Sequence, residues 1–353
     1  MANAPIANAP TAAAPVALAP SARAFFMLML VRRASVWVRL RFLDDVNAVV
    51  VDRAAASGLM LSAVPAPAPL PSEALIRVAA ISLNLGEVRR SKSNPDGWRP
   101  GWDFAGTVER AAQDGSGPAA GTRVVGVLGE GAWAEQIAAP TEHIAALPDG
   151  VSFERAATLP VAGLTALYAL GKRGSLLGRR VLVTGASGGV GIFALQLARL
   201  AGAQATALVH RPEKRAAVEA YADNVFVGDP SAARDAGPYD VILESVGGSV
   251  FAGALQLLDE EGLLVTFGTS AERTSTIEVA PFYVRGGLSI YGFYLFHELQ
   301  HQPAGKGLSR LAALLDAGKL DVHIDDVLPF AKIGEAVDRL WNRGVTGKIV
   351  VTL

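Results

Sequence analysis

Residues 181–191 read VLVTGASGGVG, which sets Gly185, Gly188 and Gly191 three apart between an apolar run and an apolar-periodic stretch. Glycine lets a backbone turn sharply and approach a pyrophosphate, whose charge then rests on amides at a helix N-terminus. The motif has the strand before it and the helix after it that this chemistry needs, so a nucleotide is expected; the alternative is an ordinary glycine-rich turn. One strand later the chain reads Val209-His210-Arg211-Pro212, followed by Lys214 and Arg215, with no acid before Glu213. An acid at that place would hold the ribose 2′-hydroxyl of NAD, whereas a basic group accepts the 2′-phosphate of NADP. These residues predict NADPH, chiefly through Arg211, helped by Lys214 and His210. The alternative is a basic helical turn facing solvent.

A second pattern, HELQH at 297–301, matches the zinc-peptidase signature, in which two histidines one helical turn apart share a metal and the glutamate activates its water. A catalytic zinc needs a third protein ligand. The extended pattern fails, with Ala304 and Gly307 where a glycine and a histidine should stand, and Pro303 interrupts any helix. A peptidase is rejected.

The elements around these residues follow from periodicity. From 46 to about 165, short Val- and Ala-rich runs (NAVVVD, ALIRVAAISL, DFAGTVERA, TRVVGVL, AWAEQIAAP) between Pro, Gly and Asp clusters predict strands of a compact barrel-like β domain. From 179 the pattern alternates. RRVLVTG, ATALVH, YDVILESVG, GLLVTFG and LSIYGF read as strands, and GIFALQLARLAGA, RPEKRAAVEAYA and SVFAGALQLLDE as helices between them. That alternation implies a parallel sheet with helices on both faces. Two helical stretches, GLSRLAALLDAG and IGEAVDRLW, precede a last strand, KIVVTL.

Composition narrows the remaining classes. A chain of 353 residues fits two domains, and a net charge of −1 gives no electrostatic reason to expect nucleic acid or a membrane surface as partner. No cysteine is present, which excludes disulfides, thiolate zinc sites and a cysteine nucleophile. No apolar run approaches the ~20 residues of a membrane span. Residues 1–24 form an Ala/Pro low-complexity stretch, and FFMLMLVRRASVWVRLRF (25–42) carries arginines without acids, a composition also seen in organelle transit peptides. Residues 1–45 are expected to be a dispensable extension, with the fold starting near Val46 and the protein cytoplasmic.

From 46 to 353 the chain resembles the medium-chain dehydrogenase/reductase superfamily, in its zinc-free quinone oxidoreductase and enoyl reductase branch. The resemblance rests on Asn84-Leu85-Gly86-Glu87, on Gly101-Trp102-Asp103-Phe104-Ala105-Gly106, on LPDGVSFERAATLPVAGLTALYAL (147–170), on GASGGVG and on Gly347-Lys348, all in consistent order. It implies an α/β fold: a GroES-like β-barrel catalytic domain from 46–168 and 304–353, and a Rossmann doubly wound parallel-sheet cofactor domain from 169–303. By position it places Asn84 at the catalytic centre and Thr165 near the nicotinamide. It sets Gly185, Ser187, Gly188, Gly189, Val190 and Gly191 on the pyrophosphate, and His210, Arg211 and Lys214 on the 2′-phosphate. Val246, Gly268, Phe293 and Lys348 would lie along the cofactor. Asn84 and Thr165 have an alternative as capping residues, and Val246, Gly268 and Phe293 as strand-end packing. A homodimer through the strand near 288–292 is also implied.

The chain departs from its zinc-dependent relatives. They carry a cysteine near position 84, a histidine at 102 and a further ligand near 161, where this chain has Asn84, Trp102 and Val161. No metal is expected. Hydride delivery to a conjugated acceptor spreads the developing charge into an enolate or hydroquinone, so quinones, enals, enones and enoyl thioesters are favoured over simple ketones. No proton donor is evident, and solvent ordered by Asn84 is the expectation. The small-molecule substrate is therefore a quinone or α,β-unsaturated carbonyl. An enoyl-thioester reductase and a non-catalytic NADPH sensor are the alternatives.

Overall fold

The computed structural model describes residues 45–353. The predicted extension falls almost wholly outside them. Strands β1 (Asp45–Val51) and β2 (Leu59–Pro65) pair with each other, and β3 (Glu73–Ser82) leads into helix α1 (Leu85–Ser93). Strands β4 (Asp103–Arg110), β5 (Arg123–Val127), β6 (Gln136–Pro140) and β7 (Ile144–Ala146) follow. Helix α2 (Phe153–Ala157), a wide π-type turn over Leu159–Gly163 and α3 (Leu164–Gly171) then lead to β8 (Arg180–Thr184).

After β8 come α4 (Gly189–Leu200), β9 (Gln204–Val209), β10 (Asn224–Val227), β11 (Tyr239–Glu244), α5 (Gly248–Leu255) and β12 (Leu258–Thr266). Helix α6 (Val279–Val284), β13 (Ser289–Gly292), α7 (Leu295–Glu298) and α8 (Ala304–Asp316) carry the chain to β14 (Ile324–Pro329), α9 (Ile333–Trp341) and β15 (Lys348–Thr352).

The six strands from β8 to β13 form a parallel sheet in the order β10-β9-β8-β11-β12-β13. This is the doubly wound order, with its reversal between β8 and β11. Alternate residues serve opposite faces: Val181, Val183, Val241 and Leu243 join one core, and Leu182, Ile242 and Leu264 another. Burial on both faces is why these strands read as unbroken apolar runs. The other sheet has seven strands and draws on both parts of the chain, with β14 and β15 beside β3–β7. On one side of β3, residues 73–77 pair with β6 and 80–82 with β15, so the sheet must curl. Its interior holds Phe104, Trp133 and Ile76 without exposure.

Two predicted helices come out differently. The segment 211–222 forms only a 3₁₀ turn at Pro212–Lys214 and further turns, closed by bonds of the i→i−3 kind from Val218 to Arg215 and from Tyr221 to Val218. Asp223, whose backbone and carboxylate both bond Ala205, pins the end so that β10 can start beside β9. A 12-residue helix would carry the chain about 18 Å, too far for that return. The helix predicted over 249–260 stops at Leu255, because Leu258 already pairs with Tyr239.

Candidate active site

The carboxyl ends of the parallel strands gather the residues that the motifs singled out. Gly185–Gly191 follows β8, His210 and Arg211 follow β9, Val246 follows β11, Gly268 follows β12 and Phe293 follows β13. Ligands of open α/β sheets bind along this edge, at the reversal of strand order. The glycines serve different ends. Gly185 has φ +57, Gly188 is exposed with only its neighbour Gly185's carbonyl near a built Cβ, and at Gly191 a Cβ would lie 2.5 Å from the Ala186 carbonyl oxygen. The loop thus leaves open space at the N-terminus of α4, which suits a pyrophosphate. The Ser187 carbonyl accepts the Gly347 amide at 2.9 Å. Phe293 is 5% exposed and its amide donates to Thr266; the Val246 amide donates to the buried Glu244 carboxylate at 2.6 Å. Thr165 is buried at the second position of α3.

Beyond β9 the cations are only partly free. Arg211 faces Glu213 at 3.3 Å and donates to the Arg343 carbonyl, while Lys214 donates to Thr346 Oγ1 at 2.5 Å and to the Val345 carbonyl. His210 is exposed. Periodicity alone did not mark Arg343, which follows α9 at φ +58, an uncommon conformation for a side-chain-bearing residue. Arg89 of α1 donates to the carbonyls of Thr269 and Ser270, at 3.1 and 3.2 Å. Burial, then Arg343 and Arg273, hold its guanidinium below the usual arginine range. Like charge from two other segments thus acts on this guanidinium, an effect that an anion would relieve.

A buried polar cluster joins α1, β4 and β15. Lys348 is 5% exposed and donates to the Leu83 carbonyl at 2.9 Å, Asn84 Oδ1 at 2.6 Å and Asp103 Oδ2 at 3.2 Å. Asn84 Nδ2 donates to Asp103 Oδ2 at 2.8 Å and Glu87 Oε1 at 3.1 Å, and its backbone N–H to Glu87 Oε1 at 2.7 Å, half of a capping box. The π-type turn presents the Val161 amide to Asp103 Oδ1 at 2.9 Å. Two buried carboxyls share one ammonium, so charge balance leaves one proton between them. Burial raises both carboxyls, but Asp103 accepts from Lys348, Asn84 and the Val161 amide, which favour its charged form. Glu87 therefore keeps the proton: burial, then the charge of Asp103, pushes it up to about 8, and its Oε2 has no partner among the described residues. The Lys348 stem runs beneath the glycine loop, where a Cβ on Gly189 would lie 2.6 Å from its Cδ. One lysine thus ties the loop to the cluster.

Trp102 forms one wall beside this cluster. Its ring covers Gly86, its Nε1 donates to the Gly129 carbonyl, and it meets Phe296 edge-on at 5.2 Å, with Tyr294 beyond. The HELQH glutamate is occupied elsewhere. Glu298 is buried, with Lys172 Nζ at 2.6 Å and Tyr291 Oη at 2.6 Å, so it cannot activate a water between the exposed His297 and His301. Among the described residues no group of three or more His, Asp or Glu could hold a metal ion.

Two family models match in succession: the alcohol dehydrogenase GroES-like domain over residues 70–149 and the zinc-binding dehydrogenase over 217–351. The chain belongs to the medium-chain dehydrogenase/reductase superfamily. Its place in the quinone oxidoreductase and enoyl reductase branch rests on its relatives. The quinone oxidoreductase of Pseudomonas aeruginosa is 29% identical over 301 residues, covering 80% of this chain and 92% of its own length. The solved CurK enoyl reductase superposes with a TM-score of 0.76 at 26% identity, over 88% of this chain and 99% of that one. A mycobacterial protein complexed with NADPH gives 0.78 at 25%, over 87% and 100%. The fold of this medium-chain oxidoreductase is thus a GroES-like domain with a Rossmann-like parallel sheet, as the motifs implied. Among the described residues the zinc in one model's description finds no donor set. Between Asn84 and Asp103 lies the Lys348 ammonium.

Proposed function

We propose that this medium-chain oxidoreductase uses NADPH to reduce quinones or α,β-unsaturated carbonyl compounds without a metal. The observation that carries the reading is the Lys348 ammonium held by Asn84 and Asp103 directly beneath the glycine loop. The ammonium spends its three hydrogens on Leu83, Asn84 and Asp103, so it braces the loop from below while the amides at the start of α4 stay free for the cofactor's phosphates. When bound, NADPH supplies a hydride equivalent. Gly188, Gly189 and Val190 would hold its pyrophosphate, Arg211 its 2′-phosphate with Lys214 and His210, and Arg343 would close over the same group. Gly185, Ser187 and Gly191 shape the loop, while Thr165, Val246, Gly268 and Phe293 line the path toward the nicotinamide.

Both amide hydrogens of Asn84 go to carboxyl groups, so toward a substrate Asn84 offers only its carbonyl oxygen, and it acts by holding Lys348 and Asp103 in place. The aromatic wall of Trp102, Phe296 and Tyr294 suits a flat conjugated acceptor and keeps water from it. The proton that completes the reduction comes from solvent. We assign the catalytic domain to 46–168 with 304–353 and the cofactor domain to 169–303. A homodimer would form by pairing of the β13 edges. The likeness to CurK favours enoyl thioesters as the second reading.

The test is NADPH oxidation across quinones, enals, enones and enoyl thioesters. Saturable turnover of the first three classes is expected; turnover of thioesters alone moves the protein to the second reading. Absence of turnover with every class, despite NADPH binding, overturns the proposal in favour of a sensor. Activity is expected to survive chelation, with no stoichiometric zinc; about one zinc per chain, lost together with activity on chelation, would reopen HELQH.

A further inference from the structure

Away from the cofactor edge, α3, the segment between α7 and α8, and the start of α8 line an open groove of about 520 Å³, at which Lys306, Arg310 and His301 are exposed. Lys172, Lys306, Arg310 and His301 line it together with Tyr168 and Leu167, and no lining residue is acidic. Lys306 and Arg310 stand four apart on one face of α8. The charge of Lys172 is matched from behind by the buried Glu298, at 2.6 Å, and its ammonium rests over the Tyr291 ring at 4.6 Å. Neither Lys306 nor Arg310 has an acidic partner among the described residues. Two uncompensated cations thus converge on a hollow from which carboxylates are missing. Like charges four apart on a helix repel at a small cost in stability, which a bound anion would recover.

We propose that this groove is a second anion site that binds a phosphate monoester. Such a group carries close to two negative charges at neutral pH, the number that Lys306 and Arg310 leave unmatched. Arg310 offers a planar fork for two phosphate oxygens and Lys306 a mobile point charge. Lys172 is held as a third donor, and the Tyr168 ring gives a flat face for an attached base or alkyl chain. Lys172 caps the helix that begins beside Thr165, about 10 Å away at the rise of an α-helix. A phosphorylated tail on a bound substrate and a separate phosphate compound are therefore both within the chemistry of the site.

The probe is adenosine 3′,5′-bisphosphate, titrated calorimetrically into protein saturated with NADPH so that the cofactor edge is blocked. Saturable binding is expected, and the K306E/R310E double variant should lower it at least ~10-fold, with NADPH affinity unchanged. No saturable binding to wild type, or equal binding to the variant, overturns the site. A second arm separates the two sources. If the ligand is a substrate tail, the variant raises KM for an enoyl–coenzyme A thioester but not for the same acyl group on N-acetylcysteamine. If it is a separate compound, bisphosphate binding falls while both KM values stay the same.

Discussion

At the scale of single residues, two groups carry separable predictions. Arg211 is half-exposed, and Glu213 is its acidic contact, so a dianionic 2′-phosphate would outcompete that carboxylate. A charged hydrogen bond contributes roughly 1.5–3 kcal/mol, so Arg211→Ala should weaken NADPH ~10- to 100-fold and leave NADH nearly unchanged. The ratio of kcat/KM for the two cofactors checks it, and equal loss for both would reduce the basic turn to a solvated surface. Glu87 predicts a pH dependence. Its folded pKa stands near 8, against an ordinary value of 4.5, so the native state binds more protons than the unfolded chain between those limits. Stability from this group is present below about 4.5 and is lost as pH rises toward 8. Glu87→Gln keeps the neutral shape and should flatten the fall of Tm across that window. A variant whose Tm falls with pH as steeply as wild type would mean the proton resides elsewhere.

At the scale of elements, the glycine loop is tied on both sides, and its two tight glycines should fail differently. At Gly191 an added methyl meets the Ala186 backbone at 2.5–2.7 Å, which cannot move without displacing β8 from α4. Overpacking of this kind costs about 1–3 kcal/mol, so Gly191→Ala should lower Tm by several degrees. At Gly189 the obstacle is the flexible Lys348 stem. Gly189→Ala should therefore keep its Tm but shift the ammonium, weakening NADPH and lowering kcat together. Thermal melts beside cofactor titrations separate the two; a Tm loss at Gly189 as large as at Gly191 would contradict the division. The short helix α7 shows the converse lesson. HELQH has the spacing of a metal site, but Glu298 is drawn inward to Lys172 and Tyr291.

At the scale of the whole molecule, β13 ends the parallel sheet, with β12 on one side and, among the described residues, no strand on the other. Ile290 on this strand and Tyr283 and Val284 just before it are 40%, 67% and 74% exposed. An unpaired edge flanked by apolar side chains is a template for strand addition. A second copy pairing there would extend the sheet across a two-fold axis. Ile290→Lys places a charge at the edge and should yield monomer in sedimentation analysis while NADPH binding persists. Wild type sedimenting as a monomer would remove the dimer. Among the described residues no helix is long and apolar enough to cross a membrane.

The amino-acid order by itself determined the parallel sheet, the glycine loop and the basic turn, because each is a local rule. A strand buried on both faces must be apolar throughout, a backbone that approaches a phosphate must lack side chains, and a basic turn is read directly from its residues. Tertiary structure decided what depends on contacts across long separations. Lys348 reaches Asn84 over 264 positions and Asp103 over 245, and no periodicity marks such a meeting. The same holds for Arg89 beside Arg343, and for Lys172, which takes the HELQH glutamate over 126 positions. The helix expected over 211–222 failed for a related reason: its propensity was overridden by the need to return β10 to the edge of β9. Desolvation and charge balance are properties of the packed interior, so the chemistry of this site became legible only once the two ends of the chain were brought together.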